Sequence, residues 1–136
     1  MCDMIHGFHR SNYRPQPGDT LLSVWEGLQN QRVPGMGSFL SAQVVADLKF
    51  TSLLPQDLTP DWRTFCAPGP GSQIGLNHLL GEKLSKQWDR SLFEQMINLL
   101  RPLLPLELSA QDTQNCLCEF QKYKRGFSRS KYPGAQ

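Results

Sequence analysis

A proline-glycine turn in the first third of the chain strongly limits how this chain can fold. The turn, Val33-Pro34-Gly35-Met36-Gly37-Ser38-Phe39, lies between two apolar segments that both repeat with the period of a helix. Proline cannot continue a helix, and glycine tolerates the positive φ angles that end one. One helix must therefore stop at this turn and another must begin directly after it.

The same period recurs along the rest of the chain, and no segment alternates as a strand would. Asp19 or Thr20 is a suitable N-cap for the first helix, and Ser38 for the second. The predicted helical ranges are 19–31, 38–50, 73–81, 91–100 and 110–123, with a short helical turn at 62–65. We therefore predict an all-α fold, a compact helical domain whose helices are joined by short loops.

Three regions follow from this pattern. Residues 1–18 are predicted to be an irregular arm, 19–124 the helical domain and 125–136 a basic, flexible tail. In the fourth helix, apolar spacing predicts inward positions at Leu92, Phe93, Met96, Ile97 and Leu100. In the last helix, the expected core positions are Cys116, Leu117, Phe120 and Tyr123.

Composition narrows the class of protein. The 136 residues are 39% hydrophobic and 19% charged, which is typical of a globular domain, and the net charge of +2 is too small for a polycation. No signal peptide or membrane span is visible, so we expect an intracellular protein, cytoplasmic or nuclear, that is not secreted and does not bind a membrane. Its four cysteines are expected to be free thiols, and they lack a zinc-site spacing.

Two glycine turns are candidate anion sites. Gly35, Gly37 and Ser38 precede the second helix, and Gly69-Pro70-Gly71-Ser72 precedes the third. Backbone N–H groups at a helix start attract anions, and glycine allows a phosphate to approach closely. The first turn resembles a helix-hairpin-helix element, whose usual anion is a DNA phosphate. A plain helix corner and a tight loop are the structural alternatives, and without Gly-Lys-Ser/Thr the second turn is not expected to bind ATP.

Polar residues on two helices are candidates for chemistry. Phe39, Gln43 and Asp47 share one helix face, where an amide and a carboxylate beside an aromatic ring could grip a base edge or supply a general base. Asp112, Asn115 and Glu119 share a face of the last helix, where they could hold a cation, bind a base or exchange protons. In both cases the alternative is an ordinary solvated face.

The C-terminal residues are rich in cations and aromatic rings. Lys122, Lys124 and Arg125 are followed by Arg129 and Lys131, with Tyr123, Phe127 and Tyr132 between them. This mixture suits contacts with a phosphate backbone and stacking on bases. The alternative is a solubilising end.

Several blocks in register resemble a known family over roughly residues 20 to 132. The chain is similar to the all-helical α-glutamyl/putrescinyl-thymine pyrophosphorylases and to the helical domain of 5-hydroxymethyluracil DNA kinases. The matching blocks are Gly35-Met36-Gly37-Ser38-Phe39, residues 42–49, Asp61-Trp62 with Phe65, Gly69-Pro70-Gly71-Ser72 with Gly75-Leu76-Asn77, and residues 110–120 with Lys122-Tyr123.

The resemblance implies action on a modified thymine in DNA. In that family's scheme, a hydroxymethyl group on the base is phosphorylated and pyrophosphorylated, and an amine then displaces the pyrophosphate. The implied partners are DNA, an amine or amino-acid donor and a separate kinase chain, and a divalent metal could accompany the pyrophosphorylated base. Relatives carry a longer segment before the first block, so we expect a truncated product, a stand-alone remnant or one part of a split enzyme.

The resemblance also points to positions for a site, although not to individual roles. The candidate catalytic residues are Asp47, Asp112, Asn115 and Glu119. The candidate substrate- and DNA-binding residues are Gly35, Gly37, Ser38, Phe39, Gln43, Gly69, Gly71, Ser72, Asn77, Gln111, Lys122, Lys124 and Arg125. Two other functions remain open: a non-catalytic helix-hairpin-helix DNA-binding module, and a helical protein-interaction domain.

Overall fold

The computed structural model describes residues 13–31 and 34–126. Within these ranges every regular element is helical, which confirms the all-α prediction. The elements are α1 (Leu21–Asn30), α2 (Ser38–Leu48), α3 (Pro70–Leu80), α4 (Arg90–Leu100), a 3-10 helix (Arg101–Leu103) and α5 (Ala110–Lys124). Most of the predicted arm, Arg129, Lys131, Phe127 and Tyr132 lie outside the described residues.

Side-chain caps fix where three helices begin. The Thr20 hydroxyl accepts a hydrogen bond from the Ser23 amide at α1, as predicted. The Asp89 carboxylate accepts two amide bonds at α4. Ser109 and Asp112 cap α5 reciprocally, because each side chain accepts a bond from the other residue's amide.

Two helix starts differ from the prediction. Gly37, rather than Ser38, is the cap of α2, and Ser38 is the first helical residue. Helix α3 begins at Pro70, three residues before the predicted start at Gln73. The fixed φ of proline suits the first position of a helix, where no N–H is needed, so Pro70 begins α3 instead of preceding it.

The apolar residues form two clusters. The first packs α1 and α2 against the connection that follows them; its buried members are Leu21, Val24, Leu28, Met36, Ala42, Val45, Leu54, Phe65 and Ala67. The second packs α3, α4 and α5 together; its buried members are Cys66, Leu76, Phe93, Ile97, Ala110 and Leu117. The adjacent residues Phe65 and Cys66 belong to different clusters, so the clusters adjoin there.

Helices α3 and α5 cross with their backbones in close contact. A Cβ atom at Gly75 would overlap the carbonyl of Leu117, and one at Gly71 would lie 2.6 Å from Cys118 Sγ. Farther along the same crossing, the rings of His78 and Phe120 meet edge to face at 6.3 Å. Small residues on α3 therefore let the two backbones touch.

The inward face of α5 is not the predicted one. Cys116 is exposed and Tyr123 is 78% exposed, whereas Leu117 is buried as expected. The remaining buried side chains of α5 beyond Ala110 are polar: Gln111, Thr113, Gln114 and Gln121. For Gln111 and Gln114 the reason is that they face a backbone carbonyl and a helix start, which amide side chains can satisfy and apolar ones cannot. In α4, Leu92 is also exposed, at 46%.

None of the helices in the described ranges is both long enough and apolar enough to cross a bilayer.

Candidate nucleic-acid interface at the paired helix starts

The starts of α2 and α3 lie next to each other. A Cβ atom built at Gly69, the cap of α3, would lie 3.8 Å from Phe39 Cδ2 in the first turn of α2. The same position would be 3.1 Å from Gln114 Nε2 on α5. Both glycine turns identified in the sequence therefore border a single region of the surface, with α5 behind it.

The starts of α2 and α3 both leave backbone amides without an acceptor, although the Ser72 hydroxyl accepts a bond from the Gly69 amide. Gly37 and Gly69 contribute no capping side chain, and the Ser38 and Phe39 amides of α2 have no acceptor among the described residues. The Gly71 amide of α3 likewise has no acceptor among the described residues. Such amides carry the partial positive charge of the helix start, so this region is suited to an anion.

A hydrogen-bond network holds the start of α3 in place. The Ser72 hydroxyl donates to the Gly69 carbonyl and accepts from the Gly69 amide, each at 3.0 Å. It also accepts a bond from Gln114 Nε2 at 3.0 Å. Ser72 is completely buried, and its hydroxyl is fully used inside the chain. Ser72 and Gln114 therefore position the glycine turn and are not exposed to a ligand.

A second glutamine of α5 reaches α2. Gln111 Nε2 donates to the Ala42 carbonyl at 3.0 Å, while the buried Oε1 atom has no hydrogen-bond donor among the described residues. Gln111 and Gln114 thus connect α5 to α2 and to α3. Sequence reasoning did not place Gln114 in the site. The signal that could have found it is the i, i+3 spacing of the two glutamines.

Other predicted residues differ in how close they are to this region. Phe39 is 54% exposed beside Gly69, and Gln43 is half-buried one turn farther along α2. Gly35 is exposed with a φ of 82° in the turn before α2. Asp47 is exposed but lies near the opposite end of α2.

Asn77 is completely buried in the body of the domain. Its Nδ2 atom donates to the carbonyls of Leu84 and Lys86, at 3.2 and 2.9 Å, and its Oδ1 atom accepts from Trp88 Nε1 at 2.7 Å. The amide therefore holds the loop between α3 and α4, and its hydrogen-bonding groups are already engaged there.

The predicted polar face of α5 is exposed. Asn115 and Glu119 lie one turn apart on it, and Glu119 forms an ion pair with Lys122. Asp112 is on the same face, but its carboxylate accepts bonds from the Ser109 amide, at 3.1 Å, and the Ser109 hydroxyl, at 2.6 Å. Beyond them, Lys124 and Arg125 are exposed at the end of the helix.

Two buried ionisable groups lie away from the paired helix starts. Lys49 is 4% exposed; its Nζ atom donates to Ser109 Oγ at 3.2 Å and lies 4.2 Å from the centre of the Trp62 ring. Burial lowers the pKa of Lys49, and the nearby carboxylates of Asp112 and Asp61 partly offset that effect. Burial also raises the pKa of the Cys66 thiol, and the nearby carboxylate of Glu94 raises it further. This cysteine therefore remains protonated and is not a nucleophile.

Among the residues in the described ranges, no group of three or more His, Cys, Asp or Glu side chains is arranged to hold a metal ion.

Comparison with known proteins identifies the family. Residues 14–131 match the family described as "5-hmdU DNA kinase, helical domain". No curated protein and no solved structure matches the chain. The match includes every helix in the described part of the chain, and the family's helical character agrees with the all-α fold. This chain therefore belongs to the family of the helical domain of 5-hydroxymethyldeoxyuridine DNA kinases.

Proposed function

We propose that this helical domain binds the DNA substrate of a 5-hydroxymethyluracil kinase and presents the modified base for transfer. The observation that carries the proposal is the meeting of the starts of α2 and α3, each with amides that lack an acceptor among the described residues, beside the exposed ring of Phe39. An anion-binding surface next to an exposed aromatic ring matches the two chemical parts of a nucleotide, its phosphate and its base.

Each part has a physical role. The Ser38, Phe39 and Gly71 amides can donate to a backbone phosphate, aided by the positive ends of two helix dipoles that lie near each other. The Phe39 ring can stack on a base that has left the duplex stack, as chemistry on a base requires. Stacking of this kind is worth about 1–3 kcal/mol per base. Gln43, one turn along, is within reach of the edge of a base stacked on Phe39.

The exposed end of α5 extends the proposed contact. Lys124 lies ten residues beyond Gln114 on the helix, a rise of about 15 Å. Lys124 and Arg125 can therefore contact phosphates that flank the target nucleotide. Such contacts make affinity depend on salt without adding sequence preference.

We assign phosphoryl transfer from ATP to a kinase domain or chain that works with this one. The family description names a kinase, but neither glycine turn contains the Gly-Lys-Ser/Thr that cradles ATP phosphates in a P-loop. A division of labour follows, in which this domain holds the DNA and its kinase partner supplies the nucleotide.

A second candidate is transfer onto an already phosphorylated hydroxymethyl group, with an amine or amino acid as the donor. The observation that favours it is the exposed face of α5, where Asn115 and Glu119 lie one turn apart. Glu119 would deprotonate the amine, with Asn115 binding the base and Asp112 or Asp47 as alternative bases. Turnover with pyrophosphorylated DNA that disappears in Glu119→Gln, with DNA affinity retained, would support this candidate.

Binding to matched oligonucleotides tests the first proposal. Wild-type protein and Phe39→Ala would be titrated with fluorescent single-stranded and duplex DNA containing one 5-hydroxymethyluracil or one thymine. Loss of a stacking contact should weaken binding of the modified DNA about 5- to 100-fold. Phe50→Ala is the matched control, because Phe50 is also exposed, at 77%, but lies beyond the opposite end of α2.

The same titrations separate the rival functions. A helix-hairpin-helix module without a base pocket would bind thymine and 5-hydroxymethyluracil DNA equally, and Phe39→Ala would change both alike. A protein-interaction domain would bind neither DNA with a salt-dependent affinity. Equal weakening by Phe39→Ala and Phe50→Ala would contradict the assignment of Phe39.

A further inference from the structure

A cavity of about 390 Å³ lies near the opposite end of α2 from Phe39. It is lined by Arg63, Arg101, Pro102 and residues 104–108. Its position follows from neighbouring bonds: the Arg63 carbonyl accepts from the Ala110 amide, and Ser109 accepts from Lys49, which directly follows α2. Helix α2 has eleven residues and is about 16 Å long, and the cavity lies toward its far end from the paired helix starts.

The two arginines keep most of their donors free. Arg101 Nη1 donates to the Arg63 carbonyl at 2.8 Å, which anchors the Arg101 side chain and leaves its other N–H groups unused among the described residues. Arg63 forms one ion pair in the described chain, with Glu107 at 4.0 Å, beyond hydrogen-bond distance. Each guanidinium therefore retains the planar fork of donors that fits a phosphate.

The surroundings of the cavity favour an anion. Its remaining wall, apart from Glu107, is leucine and proline, which offers no competing acceptor side chain. Glu107 is its only lining carboxylate, and that side chain is 92% exposed, so it can move into water when an anion enters. The buried cation Lys49 lies close enough to Arg63 for their charges to interact, which adds positive potential near the cavity.

We propose that Arg63 and Arg101 bind a phosphate group in this cavity. Two sources share that chemistry: a backbone phosphate of DNA, two or three nucleotides from the base at Phe39, and the phosphates of a free nucleotide. Only the first source rests on the function proposed above. In that case the cavity fixes the register of the strand, while the paired helix starts hold the target nucleotide.

Inorganic pyrophosphate is the first probe, because it tests the cavity without DNA. Thermal unfolding would be followed with and without pyrophosphate at constant ionic strength in wild type, Arg63→Gln and Lys83→Gln. Pyrophosphate should raise the Tm of wild type and of Lys83→Gln equally, and Arg63→Gln should show a smaller shift, because the paired helix starts still offer a separate anion site. Lys83 is the matched control, an exposed lysine after α3 that does not line the cavity. An equal shift in all three proteins would overturn the proposal.

Glu107→Gln should change the pyrophosphate-induced shift in Tm in the opposite direction to Arg63→Gln. Removing the carboxylate that faces Arg63 should increase the pyrophosphate-induced shift in Tm, because the anion no longer competes with it. Asp57→Asn, which removes an exposed carboxylate outside the cavity lining, should leave the shift unchanged. A smaller shift in Glu107→Gln would count against the assignment of Arg63.

Salt dependence of DNA binding identifies the source of the phosphate. If DNA supplies it, Arg63→Gln should reduce the slope of log K against log salt by about 0.7 on single strands and 0.9 on duplex, whereas Lys83→Gln should not. If the slope is unchanged while ATP raises the Tm of wild type more than that of Arg63→Gln, the source is a free nucleotide. Wild type that binds pyrophosphate but no DNA would refute the proposed function and leave the cavity assignment standing.

Discussion

The missing side chain at Gly75 sets how closely α3 approaches α5. A Cβ atom there would overlap a backbone carbonyl, that of Leu117, and a backbone atom cannot move aside as the end of a side chain can. Gly75→Ala should therefore destabilise the fold by about 1–3 kcal/mol despite the better helix propensity of alanine. Urea unfolding followed by circular dichroism measures this loss.

Gly71 supplies the control for that prediction. Its nearest obstacle is Cys118 Sγ, at 2.6 Å, which lies at the end of a side chain. In a Cys118→Ala background, Gly71→Ala should be nearly neutral, since the obstacle is gone. If Gly75→Ala destabilises the fold no more than this double variant, the contact between Gly75 and the Leu117 carbonyl does not limit how closely α3 packs on α5.

The buried Lys49 predicts how stability changes with pH. Burial lowers the pKa of Lys49 below its ordinary value of 10.5, so the unfolded chain binds more protons than the folded chain between those two pKa values. Stability from this group therefore rises as pH increases through that window. The difference in unfolding free energy between wild type and Lys49→Met, measured by urea titration from pH 7 to 10.5, should shift in favour of wild type as pH rises.

The difference between wild type and Lys49→Met largely cancels the titration of groups that both proteins share. Cys66 has the opposite effect, because its raised pKa makes stability fall at high pH, but it is present in both proteins. A pH-independent difference between wild type and Lys49→Met would contradict the role assigned to the buried lysine.

At the scale of an element, Asp112 is first of all a cap of α5. Its carboxylate accepts two bonds from Ser109, so Asp112→Asn and Ser109→Ala should each cost about 0.5–2 kcal/mol. Asn115→Ala, on the same exposed face and without a described hydrogen bond, should stay within about 0.5 kcal/mol. Thermal unfolding of the three variants provides the comparison, and an unchanged Tm in Asp112→Asn would leave its carboxylate available for chemistry.

The helices show what local sequence can predict. Thr20 marks the start of α1, and helical spacing gives α2, α4 and α5 to within a few residues, because both signals are local. The start of α3 was placed too late because Pro70 can either end an irregular segment or begin a helix. Hydrophobicity alone predicts Cys116 and Tyr123 on the inward face of α5, whereas the structure exposes both side chains.

The candidate site also combines features that local sequence predicts with features that it does not. The glycine turns could be identified from sequence, because their backbone requirements are local. That Phe39 lies beside Gly69, or that Ser72 is occupied by Gln114, depends on how α5 packs. Long-range contacts of this kind have no signature in the residues on either side. The individual chemical roles of Asn115 and Glu119 remain predictions.

At the scale of the whole molecule, α5 joins two apolar clusters through a largely polar layer. Gln111 bonds to the Ala42 carbonyl of α2, and Lys49 bonds to Ser109 at the start of α5. These hydrogen bonds contribute less free energy than apolar packing, but they require a specific geometry. They therefore fix the position of one cluster relative to the other. The paired helix starts belong to different clusters, so the proposed DNA surface depends on this layer.

Native-state hydrogen exchange should detect that coupling. In wild type at low urea concentrations, amides of α1 and α4 should exchange with the same opening free energy, as expected for one cooperative unit. In the double variant Gln111→Ala, Lys49→Met, the links between α5 and α2 are lost while both apolar clusters remain intact. We expect α1 and α2 to open more easily than α4, by about 1–2 kcal/mol. Gln95→Ala, an exposed change on α4, should preserve equal protection.

The pattern of protection then decides how the domain would hold DNA. If α1 and α2 loosen alone in the double variant, the position of Phe39 relative to Gly69 depends on the polar layer, and DNA affinity should fall although neither variant residue contacts the proposed surface. If both halves lose protection equally, the clusters are joined by apolar packing near Phe65 and Cys66 instead. In that case the glutamines serve to satisfy buried backbone groups, and the two helix starts would stay paired without them.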